Sequence, residues 1–333
     1  MPSTAETLPP SPLPVPRIVD ADADRARELL GFALVCAHRP GKELAEGALG
    51  VPLRVLPEDV RAMPKAELRE RLDEILLGRR ADLGLLALQQ GGLLEAVFPE
   101  VTQLMGFGEG DNLHKDVWRH TLQVVIQAVP RLSVRWAALF HDIGKPRTRS
   151  VAADGTVHFL HHAEAGARMF ERIRRREKLF PEEQLAEAIQ FLIYHHQRAH
   201  QYEESWTDSA TRRFAREIGE QLQDLLALSR ADMTTKRKEK RRKFLFQLKA
   251  MGDRIEALLA EDNKPKALPK GLGEELMRAF GLPPSKLVGD MRKELELAVE
   301  SGELPGLADF ELYIGFVRQN PERFRLPAPA AQQ

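Results

Sequence analysis

Residues 116–145 read DVWRHTLQVVIQAVPRLSVRWAALFHDIGK, and this stretch decides the fold class. Apolar residues recur three and four apart on both sides of Pro130, the period of helices that each bury one face. Val117 and Val124 lie one turn either side of His120 and turn its face toward the core, where an unpaired imidazole is costly. The second run, RWAALF, ends in His141-Asp142 and is stopped by Gly144, which holds an imidazole and a carboxylate side by side at the core's edge. Polar groups placed in this way need a partner.

Working outward, the same period predicts helices over 65–77, 82–90, 163–178, 182–196, 209–216, 221–242, 244–261, 273–280, 284–301 and 308–319. A further helix starts among the acidic residues 20–24 and runs to Pro40. The protein is therefore expected to be all-α. The one strand signal is residues 148–159, TRSVAADGTVHF, where two β-prone runs flank the turn pair Asp154-Gly155 and predict a small hairpin beside the His141–Asp142 turn.

Soft boundaries fall near 109–111 and 262–271, where Gly-rich and Pro/Lys-rich stretches break the pattern. They give a Pro-rich arm over 1–19, expected to be disordered, and helical domains over 20–110, 111–262 and 263–325. A short disordered tail, 326–333, follows. The arm's first sixteen residues hold six prolines and almost no large apolar side chains.

Composition narrows the function classes. Lys+Arg and Asp+Glu are both 49, so no global field draws in a polyanion, and any nucleic-acid binding must come from a local patch. No apolar run approaches the roughly 20 residues of a membrane helix, and the N-terminus lacks a basic and then apolar secretion signal, so a cytoplasmic location is expected. The lone Cys36 excludes an internal disulfide and a cysteine zinc site, and its apolar helical neighbours make it a packed residue. Nine of the ten histidines lie between His114 and His200, and histidine is the commonest neutral metal ligand.

His120, His141, Asp142 and Asp232 each sit on or at the end of an apolar helical stretch, and together offer two nitrogens and two carboxylates to one divalent cation. That set leaves positions open on a six-coordinate Mn²⁺, Fe²⁺, Co²⁺, Ni²⁺ or Mg²⁺. His162 opens one helix, and His195 and His196 close another, so these three could complete a second cation site that clamps attacking and leaving oxygens. Lys145 follows the His141–Asp142 turn directly, and its cation suits a non-bridging phosphate oxygen or a leaving-group proton. Asp142 and Lys145 are the expected catalytic pair.

The ordered set His120, His141-Asp142-Ile143-Gly144-Lys145, His162, His195-His196 and Asp232 resembles the extended motif of the HD superfamily of metal-dependent phosphohydrolases. A wider resemblance covers roughly residues 57–318. The runs PKAELRERLDEILLG, LLALQQGGLLEAVFPEV, HKDVWRHTLQVV and GLPPSKLVGDMRKELELAVESGEL look like the neck, HD body and tail of bacterial tRNA nucleotidyltransferases, the CCA-adding and poly(A) polymerase family. Members bearing this HD domain are associated with phosphatase and 2′,3′-cyclic phosphodiesterase activities. The resemblance thus implies a nucleotide or RNA-end phosphate as substrate and a tRNA-like RNA as partner.

The nucleotidyltransferase head has no counterpart in this sequence. No Gly-rich helix start precedes a pair of catalytic carboxylates on a sheet, and Asp20, Asp22 and Asp24 read as a helix start instead. Nucleotide addition is not expected. No Gly-Tyr-Pro element follows the paired histidines, unlike the cyclic-di-GMP phosphodiesterases, and Ile-Gly-Lys-Pro after His141-Asp142 is a poor match to the ppGpp hydrolase.

Residues 236–243, KRKEKRRK, follow Asp232 on what the pattern reads as one helix; Lys236, Arg237, Lys240 and Arg241 could hold an RNA backbone near the cation. A solvated helical face is the plainer reading of that run, and neither it nor Arg172, Arg174, Arg175 and Arg176 is interleaved with aromatics as stacking platforms are. His114 and Asp116 could orient His120, or simply lie at the surface. Two functions stay open: a phosphodiesterase or phosphatase, and a non-catalytic RNA-binding protein that keeps a structural metal.

Overall fold

The computed structural model describes residues 22–39, 49–107, 116–235, 237–263 and 267–326. Among them the fold is all-α, with one two-stranded antiparallel hairpin. The chain forms two compact units, Met1–Glu256 and Ala257–Gln333. The 1–19 arm and the boundary expected near 109–111 lie outside the described residues.

In the first unit, the opening helix Ala23–Ala37 begins where the acidic cluster predicts it, with the Asp22 carboxylate accepting from the Asp24 amide at 2.9 Å. It packs with Lys65–Leu77 and Ala81–Gln90, and Leu93–Val97 follows. Buried apolar residues from Ala26 to Ile255 form one hydrophobic cluster. Trp136 from Leu132–Phe140 is fully buried against Phe98, Phe140 and Phe180, and its Nε1–H donates to Asp73 of Lys65–Leu77 at 2.6 Å. Arg69, paired with Asp73 at 2.7 Å, lies over the Trp136 and Phe180 rings. Fully burying each such aromatic contributes roughly 1.5–3 kcal/mol, so one continuous core fixes the floor beneath the histidines.

The hairpin pairs Ser150–Val151 with Val157–His158. Its turn is wider than a two-residue loop: Ala152 N–H donates to Thr156 O at 2.8 Å, and Gly155 takes φ +82°. Glycine suits that left-handed position.

The structure corrects one helix. The pattern over 221–242 is broken after Leu222–Asp232, and a new helix, Lys238–Asp262, absorbs the one expected from 244. The break falls at Met233–Thr235, where Thr234 turns back, its amide donating to Asp232 O at 2.8 Å and its hydroxyl lying 2.9 Å from His120 Nδ1. Threonine lacks the helix-breaking signature of Gly or Pro, so periodicity runs through it. The basic run therefore lies on a different helix from Asp232.

The second unit packs Leu272–Phe280, Lys286–Glu300 and Phe310–Gln319 around Leu276, Met291, Leu295 and Tyr313. The buried Tyr313 hydroxyl donates to Pro305 O at 2.8 Å and accepts from the Ala308 amide, which satisfies its polar end. No helix of the described residues is long and apolar enough to cross a membrane.

Candidate metal centre

Helix ends carry most of the polar side chains that meet in the first unit. His141 and Asp142 follow Leu132–Phe140, His162 opens His162–Glu177, His196 follows Glu183–His195, and Asp232 closes Leu222–Asp232; His120 comes from the first turn of Val117–Gln127. Helix termini leave backbone groups without intrahelical partners; two of the imidazoles use such helix-end carbonyls, and a third uses a carbonyl in the turn before its helix. The Nδ1–H of His141 donates to Ala138 O at 2.8 Å, that of His196 to Ile193 O at 2.7 Å, and that of His162 to Phe159 O at 2.8 Å. A carbonyl only accepts, so each Nδ1 carries a proton and each Nε2 is the nitrogen left facing inward.

Two clusters result. His120, His141 and Asp232 offer ligand atoms within 4.8 Å of one another, and so do Asp142, His162 and His196. Asp142 stands between them, with Oδ1 3.4 Å from His162 Nε2 and Oδ2 3.2 Å from His141 Nε2 and 3.5 Å from His120 Nε2. Asp232 Oδ1 lies 3.0 Å from His120 Nε2 and 3.7 Å from His141 Nε2.

The donors suit cations on their own geometry. His162 Nε2 and His196 Nε2 face each other at 3.2 Å while both rings keep their proton on Nδ1. Two opposed lone pairs at that distance repel unless a proton or a cation lies between them. Burial, reinforced by the charge of His141, pushes the His196 pKa down to about 4, which disfavours the proton. A nitrogen and carboxylate set of this kind suits a divalent transition metal or Mg²⁺.

In the other cluster the electrostatics are reversed. Burial opposes a charge on His141, but the Asp142 carboxylate, helped by Asp232, overrides it and pushes the pKa up to about 9. Asp142 is held well below the usual carboxylate range despite its burial, by His141 and Lys145, and Asp232 likewise despite its burial, by its contacts with His120 and His200. In the cation-free protein the protonated His141 thus sits where the two carboxylates call for positive charge.

Close approach joins the two clusters. A Cβ at Gly144 would lie 2.1 Å from His162 O and 2.8 Å from the Gly166 amide, so only glycine lets the His141–Asp142 turn press against the His162 helix. Its φ is −76°, so its role is contact distance, not the left-handed helix stop that its place in the sequence suggests. Lys145 Nζ lies 2.9 Å from Asp142 Oδ2 and over the Phe159 ring; Asp142 Oδ2 has no well-directed hydrogen bond and is held by ionic contacts.

Of the paired histidines, only His196 enters a cluster. Neighbouring helical positions diverge by 100°, and His195 packs instead against Phe191 and Tyr194 with its buried Nδ1 lacking a hydrogen bond. Asp116 caps its helix, its carboxylate accepting from Trp118 N at 2.8 Å, and it meets His120 through its backbone carbonyl, which accepts from the His120 amide at 3.1 Å; His114 and Lys236 lie outside the described residues. Arg237, Lys240 and Arg241 are exposed at the start of Lys238–Asp262, with Arg241 donating to Gln127 at 3.2 Å. Two neighbours of the clusters escaped the sequence reading. Thr234 has no distinguishing signal, whereas His200, 3.5 Å from Asp232 Oδ2, falls four residues after His196 and belonged to the histidine-dense stretch.

Residues 117–237, which contain every member of both clusters, match the HD domain. The chain carries an HD domain. It is also similar to three curated proteins that carry more chain than this one. The A-adding tRNA nucleotidyltransferase of Deinococcus radiodurans is 34% identical over 246 residues, 71% of this chain and 54% of that protein. The CC-adding tRNA nucleotidyltransferase of Thermus thermophilus is 34% identical over 289 residues, 84% of this chain and 64% of that protein. The multifunctional CCA protein of Ectopseudomonas mendocina is 31% identical over 144 residues, 41% of this chain and 34% of that protein. The HD-domain chain thus spans about half to two thirds of the first two relatives, and it resembles the tRNA nucleotidyltransferase family across the HD domain and beyond it.

Proposed function

We propose that the HD-domain chain is a metal-dependent phosphohydrolase, a phosphodiesterase or phosphatase acting on a nucleotide or RNA-end phosphate such as a 2′,3′-cyclic phosphate. One observation carries the reading: Asp142 lies between two clusters of inward-facing imidazoles, each with the donors for one divalent cation. His120, His141, Asp142 and Asp232 would hold the first, and Asp142, His162 and His196 the second, drawn from Mn²⁺, Fe²⁺, Co²⁺, Ni²⁺ or Mg²⁺. When bound, such cations supply positive charge for phosphoryl oxygens and acidify water.

The chain's own residues do the rest. The carbonyls of Ala138, Phe159 and Ile193 lock three rings in one tautomer, so no reorientation is needed during the reaction. The ammonium of Lys145 balances Asp142 and stands ready to meet a non-bridging phosphate oxygen or to pass a proton to the leaving oxygen. Arg237, Lys240 and Arg241 are exposed three to seven residues after Thr234 and would take the backbone of a tRNA-like RNA. The names of the relatives support an RNA partner.

The test is turnover of bis-p-nitrophenyl phosphate and of 2′,3′-cyclic nucleotides by purified protein with Mn²⁺, Ni²⁺ or Mg²⁺. Metal-dependent hydrolysis that is lost in Asp142→Ala is expected. Silence on every substrate, together with tight RNA binding, would replace this reading with that of a binding protein.

A further inference from the structure

We infer that His200 is a positioning residue for Asp232, and that Phe244 holds it in place. The inference rests on the proposed role of Asp232 as a cation ligand. Asp232 is the last residue of Leu222–Asp232, where the helix carbonyls repel a carboxylate, so its orientation depends on outside donors. Oδ1 faces His120 and His141 at 3.0 and 3.7 Å; Oδ2 faces His200 Nε2 at 3.5 Å. His200 therefore contacts the oxygen that points away from the cluster. It belongs to neither group of converging ligand atoms.

Its own placement is constrained from two sides. Its amide donates to Gln197 O at 3.1 Å within the short turn Arg198–Gln201 that follows His196. Its ring lies nearly parallel to Phe244, with centroids 4.4 Å apart and planes 14° apart, so the stack fixes the plane in which Nε2 points. Phe244 comes from Lys238–Asp262, the helix beyond the Thr234 break. The arrangement joins three segments around one carboxylate: the turn after His196, the end of the Asp232 helix and the start of the next one. Groups that hold a ligand carboxylate from behind tune metal affinity as strongly as many ligands do.

The experiment measures Mn²⁺ affinity by calorimetry on the full chain, with folding checked by circular dichroism. His200→Ala should weaken Mn²⁺ binding about 10–100-fold, the range typical for such supporting groups. His200→Gln, whose amide can reach the same oxygen, should restore affinity to within about threefold of wild type, and Phe244→Leu should fall between the two. In Asp232→Asn, adding His200→Ala should cost nothing further, because the two act through one carboxylate. If wild type binds Mn²⁺ and His200→Ala binds it equally well, the inference is wrong; equal losses in His200→Ala and His200→Gln also overturn it, because ring packing alone would then account for the effect. Absence of Mn²⁺ binding by wild type would instead refute the metal centre itself.

Discussion

Gly144 backs onto His162 so closely that a methyl group at position 144 would meet the His162 carbonyl oxygen at 2.1 Å. The two ligand clusters are joined at this contact, because Asp142 and His162 approach each other only if the turn and the helix touch. Gly144→Ala is expected to destabilise the protein by about 1–3 kcal/mol, the usual cost of overpacking a tight core, and to weaken the second cation more than the first. Urea denaturation and metal analysis check the two effects, and an unperturbed protein with two full sites would show that the contact has slack.

The paired histidines should behave as opposites. His196→Ala removes a ring that faces His162 at 3.2 Å, and metal content should fall from two ions per chain toward one. His195→Phe should leave metal content intact and be neutral or slightly stabilising, since the His195 Nδ1 is buried without a hydrogen bond and a phenyl ring carries no such penalty. Elemental analysis and thermal melts of the two variants decide this; loss of metal in His195→Phe would contradict the placement.

His162→Ala tests nuclearity from the other side of the same pair. It should remove the second cation while the cluster of His120, His141 and Asp232 keeps the first. A wild-type stoichiometry of one would end the two-cation account.

A pH dependence follows from His141. Its pKa in the cation-free protein is about 9 against an ordinary 6.5, so the ring is charged at neutral pH and a cation must displace its proton. Apparent affinity should rise with pH, by at most about tenfold per unit from this group, and level off above about 9. The stability of the cation-free protein should move the other way. A raised imidazole pKa stabilises the fold fully below the unfolded value of 6.5 and ceases to do so as pH climbs through about 9. Calorimetry in buffers of different ionisation enthalpy should record proton release on Mn²⁺ binding at pH 7, and none would be inconsistent with a protonated His141.

Much of this arrangement was legible before the structure, and for physical reasons. His120, His141, Asp142 and Asp232 stand out because each interrupts an apolar helical run, where a polar group is expensive and therefore meaningful. The helices themselves follow from the 3.6-residue period, and the hairpin from Asp154-Gly155. What escaped depends on direction, not composition. Adjacent His195 and His196 carry the same chemistry, and only the helix register decides that the second enters the cluster. The break at Met233–Thr235 was hidden because Thr234 has neither the backbone freedom of glycine nor the ring of proline, and its hydroxyl is drawn to His120. Gly144 reads as a helix stop, whereas its lack of a side chain serves a contact between segments that are distant in sequence. The hydrogen bond from Trp136 to Asp73 likewise joins residues 63 positions apart, a link that local periodicity does not register.

The most direct test of the central claim is anomalous scattering from crystals of the protein grown with Mn²⁺. The account predicts peaks between His120, His141 and Asp232 and between His162 and His196, with Asp142 touching both. Crystals that bind Mn²⁺ elsewhere and show no peak among these side chains would contradict it.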